Sequence, residues 1–218
     1  MHSHWYIGFD PATKTFGFII LKINIESLKH NIPKIIKDLH KTKNIKKCQE
    51  EVNSLFDIVD GDTIDLFPSK KNVDISLLER VESCAEFLKK RIIPQISQLN
   101  KENVTIVIES QMNHNDKSGI VPNVIISLFY DKANIIMVGA SLKNTVHLYD
   151  RFHPKEYAKK LSWKTSIKNH TRFTLIELVK DLNIKTLLNK SNSEMGHIGD
   201  SFMQILGYIK NPDSNIKG

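Results

Sequence analysis

Gly8-Phe9-Asp10-Pro11-Ala12-Thr13-Lys14-Thr15-Phe16-Gly17 closes an apolar run that begins near the N-terminus and ends on a carboxylate. A carboxylate at the end of a buried strand, set against small and hydroxyl residues, costs stability unless a cation neutralises it. Asp10 is therefore a candidate metal ligand. A second reading stays open at this point, because Asp and Pro also open tight turns for purely local reasons. Trp5 to Phe9 and Phe16 to Ile23 predict two strands paired as a hairpin around this turn, the second buried on both faces.

Two later segments repeat the pattern. Val104-Thr105-Ile106-Val107-Ile108 is a short continuous β-branched run of the kind found in central parallel strands, and it delivers Glu109 at its end. A final helix, predicted from about Glu194 to Ile209, carries His197 and Asp200 three positions apart and hence on one face. Ile198, Phe202, Ile205, Leu206 and Ile209 supply its buried stripe. Alone, the pair also reads as two exposed residues near a helix start. Carboxylates at two strand ends, joined by an oxygen and nitrogen pair on a late helix, form a layout that holds two divalent ions roughly 3.5–4 Å apart. One ion helps deprotonate a water in line with a phosphodiester, and the other stabilises the leaving oxygen. The donor set Asp10, Glu109, His197 and Asp200 favours Mg2+, tolerates Mn2+ through its histidine, and disfavours zinc. Glu194 lies six residues before Asp200, too far round the helix for the same face, and is left out of the site.

The remaining segments alternate in type. Residues 24–56 are lysine-rich with Ile32, Ile35, Ile36 and Leu39 at helical spacing, and read as a helical insertion. Asp57 to Phe67 reads as a strand or hairpin with a turn at Asp60-Gly61-Asp62, closed by Pro68. Its four aspartates lack the register and terminal glutamate of a calcium loop. Ile75 to Leu99 predicts a helix with Leu78, Val81, Ala85, Leu88, Ile92 and Ile96 as one apolar stripe. Residues 122–142 read as a long apolar helix that could supply a two-fold interface, Thr145 to Tyr149 as a short strand, and 173–182 as helical. The order implies an α/β fold, a central mixed β-sheet flanked by α-helices.

The chain has 218 residues, enough for one domain over 1–218 with a full core. Lysine and arginine exceed acids by 31 to 24, a formal charge of +7, which favours a polyanionic partner and nucleic acid first; the same excess also serves as a solvated surface. Cys48 and Cys84 show no metal-type spacing and read as ordinary thiols in a reducing compartment. No signal-peptide order and no apolar run of ~20 residues is present, so a soluble intracellular protein without a membrane span is expected.

Ile7-Gly8-Phe9-Asp10-Pro11, followed by Gly17 between aromatics, resembles the first-strand motif of the RuvC family of Holliday junction resolvases. Ile108-Glu109-Ser110-Gln111 resembles that family's second acidic strand end, and His197-Ile198-Gly199-Asp200-Ser201 its C-terminal catalytic helix. The resemblance is nearest to the resolvases of poxviruses and other large DNA viruses. It implies an RNase H-like fold and a homodimer that nicks four-way DNA junctions symmetrically with Mg2+. For a viral chain it implies action where viral DNA replicates in the infected cell, the cytoplasm before the nucleus. One departure is that the helix pair is usually two aspartates and here its first member is His197, a histidine that some members of the family resemble this chain in using, which removes one negative charge from the pair. The basic segment Pro154 to Arg172 offers Lys155, Lys159, Lys160, Lys164, Lys168 and Arg172 to DNA phosphates. Family position makes Lys168, or less securely Lys159, the candidate to stabilise charge on the scissile phosphate. Met112, three residues after Glu109, is placed either as a wedge at the branch point or as packing under its own loop. Three other classes stay open: a phosphotransferase of the actin and sugar-kinase superfamily, which needs a second glycine-rich phosphate loop that is absent; a junction-binding protein without cleavage; and a nuclease for RNA-DNA hybrids.

Overall fold

Near-continuous apolar runs, buried on both faces, pair as an antiparallel hairpin, β1 (Ser3–Pro11) and β2 (Thr15–Asn24), with Asp10 opposite Gly17. A computed structural model describes residues 3–12, 15–25, 50, 56–71, 74–110, 119–145, 175, 187 and 190–212. β3 (Phe56–Asp65) pairs antiparallel with β2, β4 (Val104–Ser110) runs parallel to β1, and β5 (Asn134–Gly139) runs parallel to β4. The sheet order is β3-β2-β1-β4-β5, a mixed sheet as expected.

Each face of this sheet carries its own core. Ile7, Phe9, Phe16, Phe18, Ile20, Ile106 and Ile108 pack toward α1 (Leu77–Phe87) and α2 (Ile120–Phe129). Tyr6, Ile19, Leu21, Ile23 and Val107 pack toward α3 (Asn192–Lys210), whose Ile198, Phe202, Ile205, Leu206 and Ile209 are buried as its stripe predicts. Both α1 and α3 start at a serine that accepts from the N–H of a glutamate three residues on, Glu79 and Glu194, whose carboxylate accepts the serine N–H in return. This reciprocal cap satisfies two donors that a bare helix end leaves open. It also gives Glu194 a structural role outside the site.

Several expectations are corrected. Asp60-Gly61-Asp62 makes no turn: β3 runs straight through it, with an irregular register between Ile20 and Leu21. Tertiary partners override the local preference. Arg91 donates to both Asp60 oxygens (3.0 and 3.1 Å) and to Asp62 (2.7 Å), Gln95 donates to Asp60 (2.9 Å), and Lys190 pairs with Asp62.

The helix expected over 75–99 begins at Leu77 and passes through a π-helical turn, Leu88–Ile92, into Ile93–Ile96. The wider turn accommodates Pro94, whose ring clashes with the carbonyl four residues back in a regular helix. Its fully sequestered residues are Arg80, Cys84, Leu88, Ile92 and Ile96, while Leu78 is 63% exposed. Cys84 is buried, which pushes its pKa up to about 12 and suits an inert thiol.

The apolar run 122–142 is not one helix. It is α2, a turn at Tyr130 to Ala133, and β5. The inner face of α2 (Ile120, Val121, Val124, Ile125 and Phe129) is spent on the sheet, while Tyr130 at its end is exposed. Thr145 closes a 3-10 turn, Leu142–Thr145, rather than opening a strand, and 146–149 lie outside the described residues, as do most of the 24–56 insertion and most of 173–182.

Candidate active site

Strand periodicity brings the first two carboxylates together. Side chains alternate between faces, so Asp10 shares the α3 face with Tyr6 and Gly8, and Glu109 shares it with Val107. β1 and β4 are parallel neighbours with Phe9 opposite Ile108, which puts Asp10 and Glu109 side by side at one end of the sheet. α3 then crosses them with little between backbone and backbone. A Cβ on Gly8 would lie 2.5 Å from the Ser201 carbonyl oxygen, and one on Gly17 would lie 2.5 Å from the His197 carbonyl group. Ser201 Oγ, fully buried, is 3.1 Å from both the Gly17 and His197 carbonyl oxygens and donates there.

That seating aligns His197, Asp200 and Gln204 over the strand ends. His197 Nδ1 lies 2.9 Å from Asp10 Oδ2. Lys143, from the 3-10 turn after β5, donates to Asp200 Oδ2 (2.8 Å) and to Glu109 Oε2 (3.2 Å). Gln204 is fully buried and donates through Nε2 to the same Glu109 oxygen. Asp10, Glu109 and Asp200 are only 8–9% exposed.

The electrostatics follow from this crowding. Burial, reinforced by the neighbouring Asp10 and Asp200 charges, pushes the Glu109 pKa above its ordinary value, against the pull of Lys143. Burial pulls the Lys143 ammonium toward deprotonation, but Asp200 and Glu109 outweigh it, and its pKa rises.

Three buried carboxylates with one ammonium form a cluster with excess negative charge, and hard oxygen donors beside one imidazole are chemically suited to a Mg2+- or Mn2+-type cation. Among the described residues, no group of three acidic, histidine or cysteine side chains is placed to hold a metal ion. Lys143 and Gln204 both hold Glu109 Oε2. The four predicted ligands thus fall into two pairs, Asp10 with His197 in direct contact, and Glu109 with Asp200 joined through Lys143. Met112, Lys155, Lys159, Lys160, Lys164, Lys168 and Arg172 lie outside the described residues.

Two residues of this cluster escaped the sequence reading. Gln204 carried a signal, since it sits four residues after Asp200 on the same helix face, a polar residue inside an apolar stripe. Lys143 carried none, because its place depends on β5, which the apolar run 122–142 concealed.

No protein-family model matches the chain, and no curated protein matches it. Solved structures do. The RuvC of Thermus thermophilus in complex with a Holliday junction substrate superposes with a TM-score of 0.52 at 9% identity, over 96% of this chain and 95% of that one. The fowlpox virus resolvase in complex with Holliday junction DNA gives 0.53 at 14% identity, over 95% of this chain and 98% of that one. At these identities the likeness is one of fold, and it establishes the RNase H-like architecture that the sequence motifs imply. No described helix is long and apolar enough to cross a membrane.

Proposed function

We propose that the chain is a metal-dependent endonuclease that resolves four-way DNA junctions. One observation carries the reading: Asp10, Glu109, His197 and Asp200, up to 190 positions apart in the chain, gather at one end of a sheet whose fold is shared with two junction resolvases. Nothing in a structural core calls for three carboxylates there, since burying them together is unfavourable without a cation.

In this reading Asp10, Glu109, His197 and Asp200 hold two Mg2+ ions, with Mn2+ able to substitute. Bound there, such ions supply an activated water and charge compensation for the leaving oxygen. The chain's own part is to fix the ligands. β1 and β4 set Asp10 and Glu109, Gln204 orients Glu109, and Asp10 holds the imidazole of His197. In the same reading Lys155, Lys159, Lys160, Lys164 and Arg172 serve DNA phosphates, Lys168 or less securely Lys159 is assigned to stabilise charge on the scissile phosphate, and Met112 is assigned either as a wedge at the branch point or as packing under its own loop. Two symmetric nicks need two such sites related by a two-fold axis, hence a homodimer.

The test is incubation of the protein with labelled four-way junction, linear duplex, flap and RNA-DNA hybrid, with Mg2+, with Mn2+ and with EDTA. Paired nicks across the branch point, only with metal, are expected. Junction binding without nicks in either metal would make it a binding module, and preferred cleavage of the hybrid would make it a ribonuclease of the same fold.

A further inference from the structure

We infer that Lys143 is a resident counterion of the site: its ammonium bridges Glu109 and Asp200 in the metal-free protein, and a divalent cation must displace it to bind them. The inference rests on the metal site proposed above and concerns how that site is kept closed without metal.

Four observations carry it. Lys143 Nζ contacts both carboxylates at once, 2.8 Å from Asp200 Oδ2 and 3.2 Å from Glu109 Oε2, with its side chain 12% exposed. Its two acceptors come from different elements, β4 and α3, so the ammonium ties the strand end to the helix as a shared metal would. The turn that bears it is fixed: Leu142 is buried, and its carbonyl oxygen lies so close to α3 that a Cβ on Gly207 would be 2.7 Å from it. Glu109 Oε2 is already held by Lys143 and Gln204, so a cation that takes this oxygen has to compete for it.

A salt bridge made only for stability has no reason to choose the two acidic groups that the ligand set needs. An ammonium in that position has a defined effect. It neutralises part of the carboxylate repulsion before metal arrives, and it weakens metal binding by the same attraction. Ligand charge sets cation affinity in oxygen-donor sites, so removing one positive neighbour tightens binding.

The experiment is Mn2+ titration by electron paramagnetic resonance on the full chain, comparing wild type, Lys143→Met, Lys143→Arg and Asp200→Asn. Lys143→Met should bind Mn2+ about tenfold or more tightly, because a cationic competitor is gone. Lys143→Arg, which keeps the charge, should stay near wild type. Its metal-free Tm should also stay near wild type, whereas Lys143→Met should melt lower without metal and recover with Mn2+. A Lys143→Met affinity equal to or weaker than wild type, with Asp200→Asn abolishing binding, overturns the inference and leaves the metal site standing. Undiminished Mn2+ binding in Asp200→Asn overturns the metal site itself, and the inference with it. Should Lys143→Met fail to fold, wild type decides: acetylation of Lys143, read by mass spectrometry, should accelerate several-fold on adding Mn2+, and unchanged protection refutes displacement.

Discussion

Replacing Gly17 by alanine places a methyl carbon 2.5 Å from the carbonyl carbon and oxygen of His197 and 2.7 Å from its Cβ. Ordinary contact begins at 3.4 Å, and the obstacle is helix backbone, so α3 must retreat by about 1 Å. Overpacking of this kind costs about 1–3 kcal/mol, which for a chain of this size lowers Tm by several degrees. Rate should suffer more than stability. The same shift draws His197 away from Asp10 and Asp200 away from Lys143, now 2.9 and 2.8 Å apart. Misplacement of reacting groups by about 1 Å costs on the order of a hundredfold in rate. Gly196→Ala is the matched control, because it adjoins His197 on the same helix and a Cβ there meets nothing within 4 Å. It should gain about 0.5–1 kcal/mol from the loss of a helix glycine and leave the rate alone. Thermal denaturation and junction nicking at saturating Mg2+ read both quantities. A Gly17→Ala protein that melts and cuts like wild type would refute the close seating of α3 and the argument built on it.

Asp10→Asn, Glu109→Gln and Asp200→Asn should each reduce nicking about a hundredfold or more while junction binding, followed by gel shift, persists. Glu109→Gln should in addition raise the metal-free Tm at neutral pH. A carboxyl whose folded pKa is raised binds its proton more tightly in the native state, so its penalty grows as pH climbs above the ordinary value of 4.5, and the amide removes it. For the same reason Mn2+ affinity, measured from pH 8 down to pH 5, should fall as protons compete for Glu109. Arg91→Ala should cost about 1–2 kcal/mol through Asp60, Asp62 and the Phe18 ring beneath it, whereas Lys90→Ala, which breaks only an exposed pair with Glu86, should leave Tm unchanged. The Asp60 pKa is lowered: burial opposes this, but Arg91, Gln95 and the Gly61 N–H outweigh it. The Arg91→Ala deficit should therefore be complete above the ordinary value of 3.8 and fade as pH drops through the folded value; a deficit that persists there would locate the effect in packing alone.

Segments whose neighbours in space are also their neighbours in pattern were readable. β1, β2 and β4 announce themselves by β-branched and aromatic runs that end in turn residues, and α3 by its apolar stripe. β3 was half readable, because Asp60-Gly61-Asp62 has turn chemistry that only Arg91, Gln95 and Lys190, all distant in sequence, convert into an extended strand. The run 122–142 failed for a different reason. A helix buried on most of its surface and an apolar edge strand both read as continuous hydrophobicity, and only the short polar break at Asp131-Lys132 separates them.

The site shows the same division between what a chain declares locally and what its topology decides. Asp10 and Glu109 stand out because a carboxylate at the end of an apolar strand conflicts with burial, and a conflict is visible in one dimension. His197 and Asp200 became legible only as third and fourth members of that set. Lys143 resolves part of the conflict, yet a lysine one turn beyond an unrecognised strand looks like any other of the chain's many cations. Sequence therefore revealed where negative charge accumulates, and the fold revealed what balances it. The balance has mechanistic weight: a site whose carboxylates are already bridged by an ammonium can stay assembled without metal, at the cost of weaker metal binding. His197 works in the same direction, since an imidazole in place of a carboxylate further reduces the charge that attracts the cation. Restoring an acid by His197→Asp should therefore strengthen Mg2+ binding, and combined with Lys143→Met the two gains should exceed either alone, because both changes act on one electrostatic balance. Titration of the double variant that shows no more affinity than the better single variant would mean that one of these residues lies outside the metal's field.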